Sequence, residues 1–159
     1  MKKMKIGNDT YVEVQMDDTF TVPGGPTFKV KKIKAMKCPE TGDFYVDALT
    51  LQKRDHAALA WLIRDYSRTL QVPGKTADWI RKVIHLSLSE WAELSCGMNP
   101  SAFSQAAKRN STIDRYAAFV LINLASDYLT GNKKGRLMIA NSKKVVDESL
   151  PVEVKLEVA

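Results

Sequence analysis

Lys108, Arg109 and Arg115 are basic side chains suited to a charged ligand, standing at and just beyond the end of a short polar segment. Ammonium and guanidinium groups so placed meet phosphate oxygens, giving an affinity that salt weakens and that base sequence does not influence. The segment leading to them, SLSEWAELSCGMNPSAFSQAAKRN at 87–110, reads as two helices joined by a tight turn. Ser87 is a natural N-cap with Glu90 three residues on, the spacing of a capping box. Cys96-Gly97 ends that helix, because glycine tolerates a left-handed backbone that other residues resist. Asn99-Pro100 opens the next helix, a capping side chain followed by proline at the first helical position. Helix, glycine turn and proline-started helix in this order form a helix-turn-helix pattern. A hairpin that merely packs against its neighbours has the same caps, and that reading stands beside it.

The other chemistry-bearing residues do not cluster in sequence. His56 and His85 stand alone and read as surface or packing residues. Cys38 and Cys96 occupy different contexts and suit a reduced, cytoplasmic protein better than a disulfide framework. Asp17-Asp18 reads as a polar loop between strands, and Gly24-Gly25, set between prolines, as a turn rather than a nucleotide-cradling loop. Without a phosphate loop, a metal cluster or a nucleophile beside a recognisable base, the chain does not read as an enzyme, and no cofactor is expected.

The elements that must position the helix-turn-helix follow from periodicity. Tyr11–Met16, Thr19–Val22 and Thr27–Ile33 alternate in character around the turn Pro23-Gly24-Gly25-Pro26, with Phe28, Val30 and Ile33 as core candidates. A second turn at 39–43 leads to Phe44-Tyr45-Val46, giving a small antiparallel sheet of three or four strands. Thr50 is expected to cap a helix to about Leu70, whose Leu59, Leu62, Ile63, Tyr66 and Leu70 form one stripe. Val72-Pro73-Gly74-Lys75 breaks it. Thr76 is expected to cap a helix through Trp79, Ile80, Val83 and Ile84, and a final helix to span about Thr112 to Thr130. That helix is apolar nearly all round from Tyr116 to Ala125, which implies burial on every face. We read this as a homodimer contact on one face, with a deep core within one chain as the alternative. Residues 137–159 read as an edge strand, a hairpin or a partly ordered tail.

The resulting class is α+β. A β-rich unit with one helix spans 1–71, a linker 72–75, a helix-turn-helix unit 76–136, and a tail 137–159. The 159-residue chain is 45% hydrophobic and carries 24 basic against 18 acidic residues, a net charge of +6. Residues 1–37 hold eight lysines against four acids, and residues 75–136 nine basic residues against five acids. That distribution suits a polyanionic partner. No apolar run is long enough to span a bilayer, so no membrane association is expected, and the opening residues lack the apolar stretch of a secretory signal.

The stretch Ala92–Ser104, AELSCGMNPSAFS, resembles the helix-turn-helix of MqsA/YgiT-type antitoxins and, more distantly, of Xre (Cro/cI) regulators. Gly97 lies five residues after Ala92, a spacing shared with the MqsA branch, and Ala102-Phe103-Ser104 coincides with that branch's own motif. Ala92, Gly97 and Phe103 are thereby the turn and scaffold positions. The resemblance implies that Ser101 and Gln105 stand where the family reads base edges, with Ser104, Lys108, Arg109 and Arg115 on the backbone. Glutamine pairs with adenine and serine with several bases, so the operator should differ from one read by asparagine and arginine. The family's zinc-binding Cys-x-x-Cys pairs have only Cys38 as a counterpart, too few ligands for a tetrahedral site, and no metal is expected. The implied function is a dimeric repressor on a palindromic double-stranded DNA site, and the resemblance extends to an autoregulating antitoxin that masks a toxin. A protein-interaction module that dimerises through its helices and binds an acidic partner is the alternative.

Overall fold

The computed structural model describes residues 2–131 and 155–158. Its centre is a long hairpin, β2 (Asp9–Thr21) with β3 (Thr27–Lys37), antiparallel from Val12↔Lys37 to Thr21↔Thr27. The Pro-Gly-Gly-Pro turn closes it, Gly25 N donating to Val22 O at 2.9 Å and Val22 N to Pro26 O at 3.0 Å. Asp17 and Asp18 lie inside β2 rather than in a loop. Asp17 sits at a β-bulge opposite Lys31 and Lys32, and its carboxylate accepts from Lys32 N at 2.9 Å. Lys32 takes a left-handed conformation there, φ 56°. The extra residue restores the register, so Phe28 and Val30 before the bulge and Ile33 and Ala35 after it all face the core.

Three short strands complete the sheet: β1 (Lys3–Ile6) on β2, and β4 (Phe44–Tyr45) and β5 (Lys155–Val158) side by side on the far edge of β3. β1 was hidden in sequence by its lysines, which β-alternation leaves on exposed positions. β5 falls within the tail expected to hold an edge strand. Residues 137–154 of that tail lie outside the described residues.

The helices follow. α1 (Ala48–Thr69) is capped by Asp47, whose carboxylate accepts from both Thr50 N (2.9 Å) and the Thr50 hydroxyl (2.7 Å). The helix therefore starts earlier than a Thr50 cap would allow, because an aspartate outside it satisfies the threonine. α2 (Gly74–Val83) starts at Pro73 rather than Thr76. Thr76 is buried inside its first turn, its hydroxyl donating to Pro23 O at 2.9 Å and so fastening α2 to the hairpin turn. α3 (Leu88–Leu94), α4 (Pro100–Arg109) and α5 (Arg115–Thr130) follow among the described residues. α5 begins three residues later than expected, capped by Asp114, whose carboxylate accepts from Tyr116 N and Ala117 N.

The delay has a cause in the segment read as a linker. Residues 72–74 run antiparallel to 111–113: Ile113 N donates to Val72 O at 3.0 Å and Gly74 N to Ser111 O at 2.8 Å. Val72 is fully buried. One cluster of buried side chains joins Val22 and Phe28 of the hairpin, Leu59, Leu62 and Ile63 of α1, Ile80 of α2 and Leu121 and Ile122 of α5. α5 is covered within its own chain, with Ala117, Ala118, Val120, Leu121, Ile122 and Ala125 all buried. This intramolecular core, rather than the expected homodimer contact, covers most of its apolar surface, while Tyr116 stays exposed. Among the described residues no helix is long and apolar enough to cross a membrane.

Candidate nucleic-acid interface

The hairpin of α3 and α4 is built by local capping and then locked from behind. Ser87 Oγ accepts from Glu90 N at 3.1 Å while the Glu90 carboxylate accepts from Ser87 N at 2.9 Å, a complete capping box. The hydrogen bonds from Ser87 hold the Glu90 carboxyl below its ordinary pKa. Cys96 and Gly97 are both left-handed, φ 62° and 72°. The chain thus reverses within two residues, and Met98 N reaches back to Ala92 O at 3.1 Å. Nothing lies near the place a Gly97 Cβ would occupy, so glycine serves the backbone conformation there. Asn99 then caps α4, its side chain accepting from Ser101 N at 3.0 Å, with Pro100 at the first position.

Trp91 and Phe103 stack at 4.0 Å between centroids and 12° between planes, joining α3 to α4. Both are buried, as is Ala92 beside them. The Trp91 indole donates to Ala117 O at 3.1 Å, which ties the pair to α5. From the other side α2 meets α4 end-on, where a Cβ on Gly74 would collide with the backbone carbonyl of Ala106. Asn110, the left-handed C-cap of α4, accepts from Lys75 N at 3.3 Å.

With that face fixed, the opposite face of α4 is exposed. Ser101, Gln105, Lys108 and Arg109 are exposed and Ser104 half-buried, while Phe103 alone in the helix is buried. Positions 101, 105 and 108 follow the i, i+4, i+7 spacing of one helical stripe. Gln105 and Arg109 also line a groove of about 270 Å³ between α4 and the loop entering α5. Arg115 stands at the first turn of α5, exposed. No hydrogen bond or ion pair engages the side chains of Lys108, Arg109 or Arg115 among the described residues. Lys108 and Arg109 also complement the negative end of the α4 dipole, which is their structural contribution.

Two groups that the sequence left apart come together elsewhere. His56 of α1 and His85, after α2, both face the ring of Tyr128 of α5. No sequence spacing links them, since three separate elements must pack before the rings meet. Cys38 is buried, its amide donating to Asp43 O at 2.9 Å. No group of three or more His, Cys, Asp or Glu side chains suited to a metal ion converges among the described residues. Comparisons with protein-family models, with curated proteins and with solved structures return no match for this chain.

Proposed function

We propose that this chain is a sequence-specific DNA-binding regulator, a repressor that enters the major groove with α4. One observation carries the reading: α4 is pinned along one face by the Trp91–Phe103 stack and by Gly74, while its other face presents exposed polar and basic side chains that have no partner among the described residues. A rigid helix with a free polar face suits base-edge recognition, and cations at its end suit phosphate contacts. Ser101 and Gln105 read bases, Lys108, Arg109 and Arg115 hold the backbone, and Ser104 supports them at the edge of the stripe. The likeness of Ala92–Ser104 to the MqsA-type helix-turn-helix supports the same assignment. The regulator acts as a homodimer on a palindrome, with recognition helices about one helical turn of DNA apart. Footprinting on the DNA upstream of its own gene tests this: a protected two-fold symmetric site is expected, and uniform protection at all sequences contradicts it. The antitoxin role rests on the resemblance alone, and co-purification with the product of an adjacent gene tests it.

A second reading is supported by the sheet. Lys3, Lys5, Lys29, Lys32 and Lys34 are exposed on β1 and β3, a basic surface that suits an acidic protein partner. A stable complex with such a partner, without DNA preference at physiological salt, would favour this module over the regulator.

A further inference from the structure

A cleft of about 620 Å³ opens between the start of α1, the C-terminal half of α2 and Tyr128 of α5. That volume lies in the range of small-molecule sites, which are mostly apolar with a few convergent polar groups. Its walls are aromatic. His56 stands edge-on to Tyr128 at 5.4 Å and 88°, with Nε2 3.2 Å from the phenol oxygen. His85 faces the same ring at 6.2 Å, and Trp79 lines the side formed by α2. Leu49 and Leu51 lie at the mouth and are 60% and 37% exposed, large apolar side chains that the fold leaves uncovered.

The polar groups select the ligand. Both formal charges in the cleft are engaged: Asp55 with Arg54 at 2.8 Å, and Lys82 at 2.7 Å with Asp78, a carboxylate it shares with Arg81 at 2.6 Å. An anion would have to compete with Asp78 for Lys82, and a cation with Arg54 for Asp55. Gln52 and His85 line the cleft with side chains that make no hydrogen bond among the described residues. A glutamine amide offers one donor and one acceptor side by side, the complement of a heterocycle edge that carries both. Flat rings gain from offset or edge contact with Trp79 and Tyr128.

We infer that this cleft binds a flat, uncharged heteroaromatic molecule of the nucleobase kind, held by Trp79 and Tyr128 and oriented by Gln52 and His85. The site goes beyond the DNA reading, for it lies at the opposite end of α2 from Gly74, about 13 Å along the helix at 1.5 Å per residue. Calorimetric titration of the full chain with adenine tests it, with benzoate and cyclohexanol as charged and non-aromatic comparators. Adenine is expected to bind with a Kd on the order of 0.1 mM and the comparators at least tenfold more weakly. Trp79→Ala and Gln52→Ala should each weaken adenine by about tenfold. Gln52 is exposed, so its variant keeps the fold even if the Trp79 variant does not. Equal binding of adenine and cyclohexanol, no binding up to the solubility limit, or unchanged adenine affinity in folded Gln52→Ala overturns the inference.

Discussion

At the scale of single residues, the helix-turn-helix rests on a few positions whose roles separate cleanly. Gly97 matters for its left-handed backbone and not for space. Gly97→Ala is therefore expected to cost about 1–2 kcal/mol in denaturant unfolding, with no new contact formed. Phe103→Ala removes half of the buried stack and should cost about 3–5 kcal/mol, loosening α4 against α3. Neither change touches a side chain assigned to DNA, so a loss of binding in Gly97→Ala that exceeds its loss of folded protein would show the turn also shapes the interface. His56 belongs to this scale too. Burial pushes its imidazole below the ordinary value of 6.5, with His85 acting in the same direction and Asp55 opposing. The unfolded chain then binds the proton more tightly, so the stability due to neutral His56 is present above about pH 6.5 and is lost as pH falls below it. Thermal melts between pH 7.5 and 5.5 should show that decline, and His56→Gln should flatten it.

At the scale of elements, the chain was legible where capping is local. Ser87 with Glu90 and Asn99 with Pro100 specify the ends of α3 and α4 through neighbours at most three residues away, and both appear as expected. Thr50 and Thr76 are plausible caps by the same logic, yet neither caps. Asp47 outcompetes Thr50 as the acceptor at the start of α1, and the Thr76 hydroxyl is drawn to Pro23, a residue distant in sequence. The start of α5 was misplaced for a similar reason, since residues 111–113 are paired with 72–74. Long-range partners override local preference in each case. Their consequence is testable at Gly74, where α2 touches α4. Gly74→Ala should force the two helices apart and destabilise the chain by about 1–3 kcal/mol, measurable as a lowered Tm.

At the scale of the whole molecule, the α+β class and the order of sheet then helices follow from alternation and helical periodicity, which the structure bears out. What periodicity does not contain is how elements meet. The apolar sides of α5 are used within one chain, and the histidines of α1 and of the residues after α2 converge only through Tyr128. Acid should test the ionic contacts of the helical layer. Burial alone raises the Asp78 carboxyl, but hydrogen bonds from Lys82 and Arg81, with their charges, outweigh it and hold its pKa below the ordinary value. Its contribution to stability is present above the unfolded value of 3.8 and is lost as pH falls through the lower folded one, a loss that Asp78→Asn should abolish.

The central claim concerns α4, and fluorescence anisotropy on labelled duplexes from the chain's own upstream region, over a range of salt, tests it directly. Wild type should prefer one duplex over scrambled sequence, and Ser101→Ala with Gln105→Ala should erase that preference while leaving weak, salt-sensitive binding. Lys108→Ala should weaken binding to all sequences and reduce the salt slope by about one. An undiminished preference in the Ser101, Gln105 double variant would contradict the assignment of α4 as the reading helix, and wild-type binding without any preference would contradict sequence-specific recognition itself.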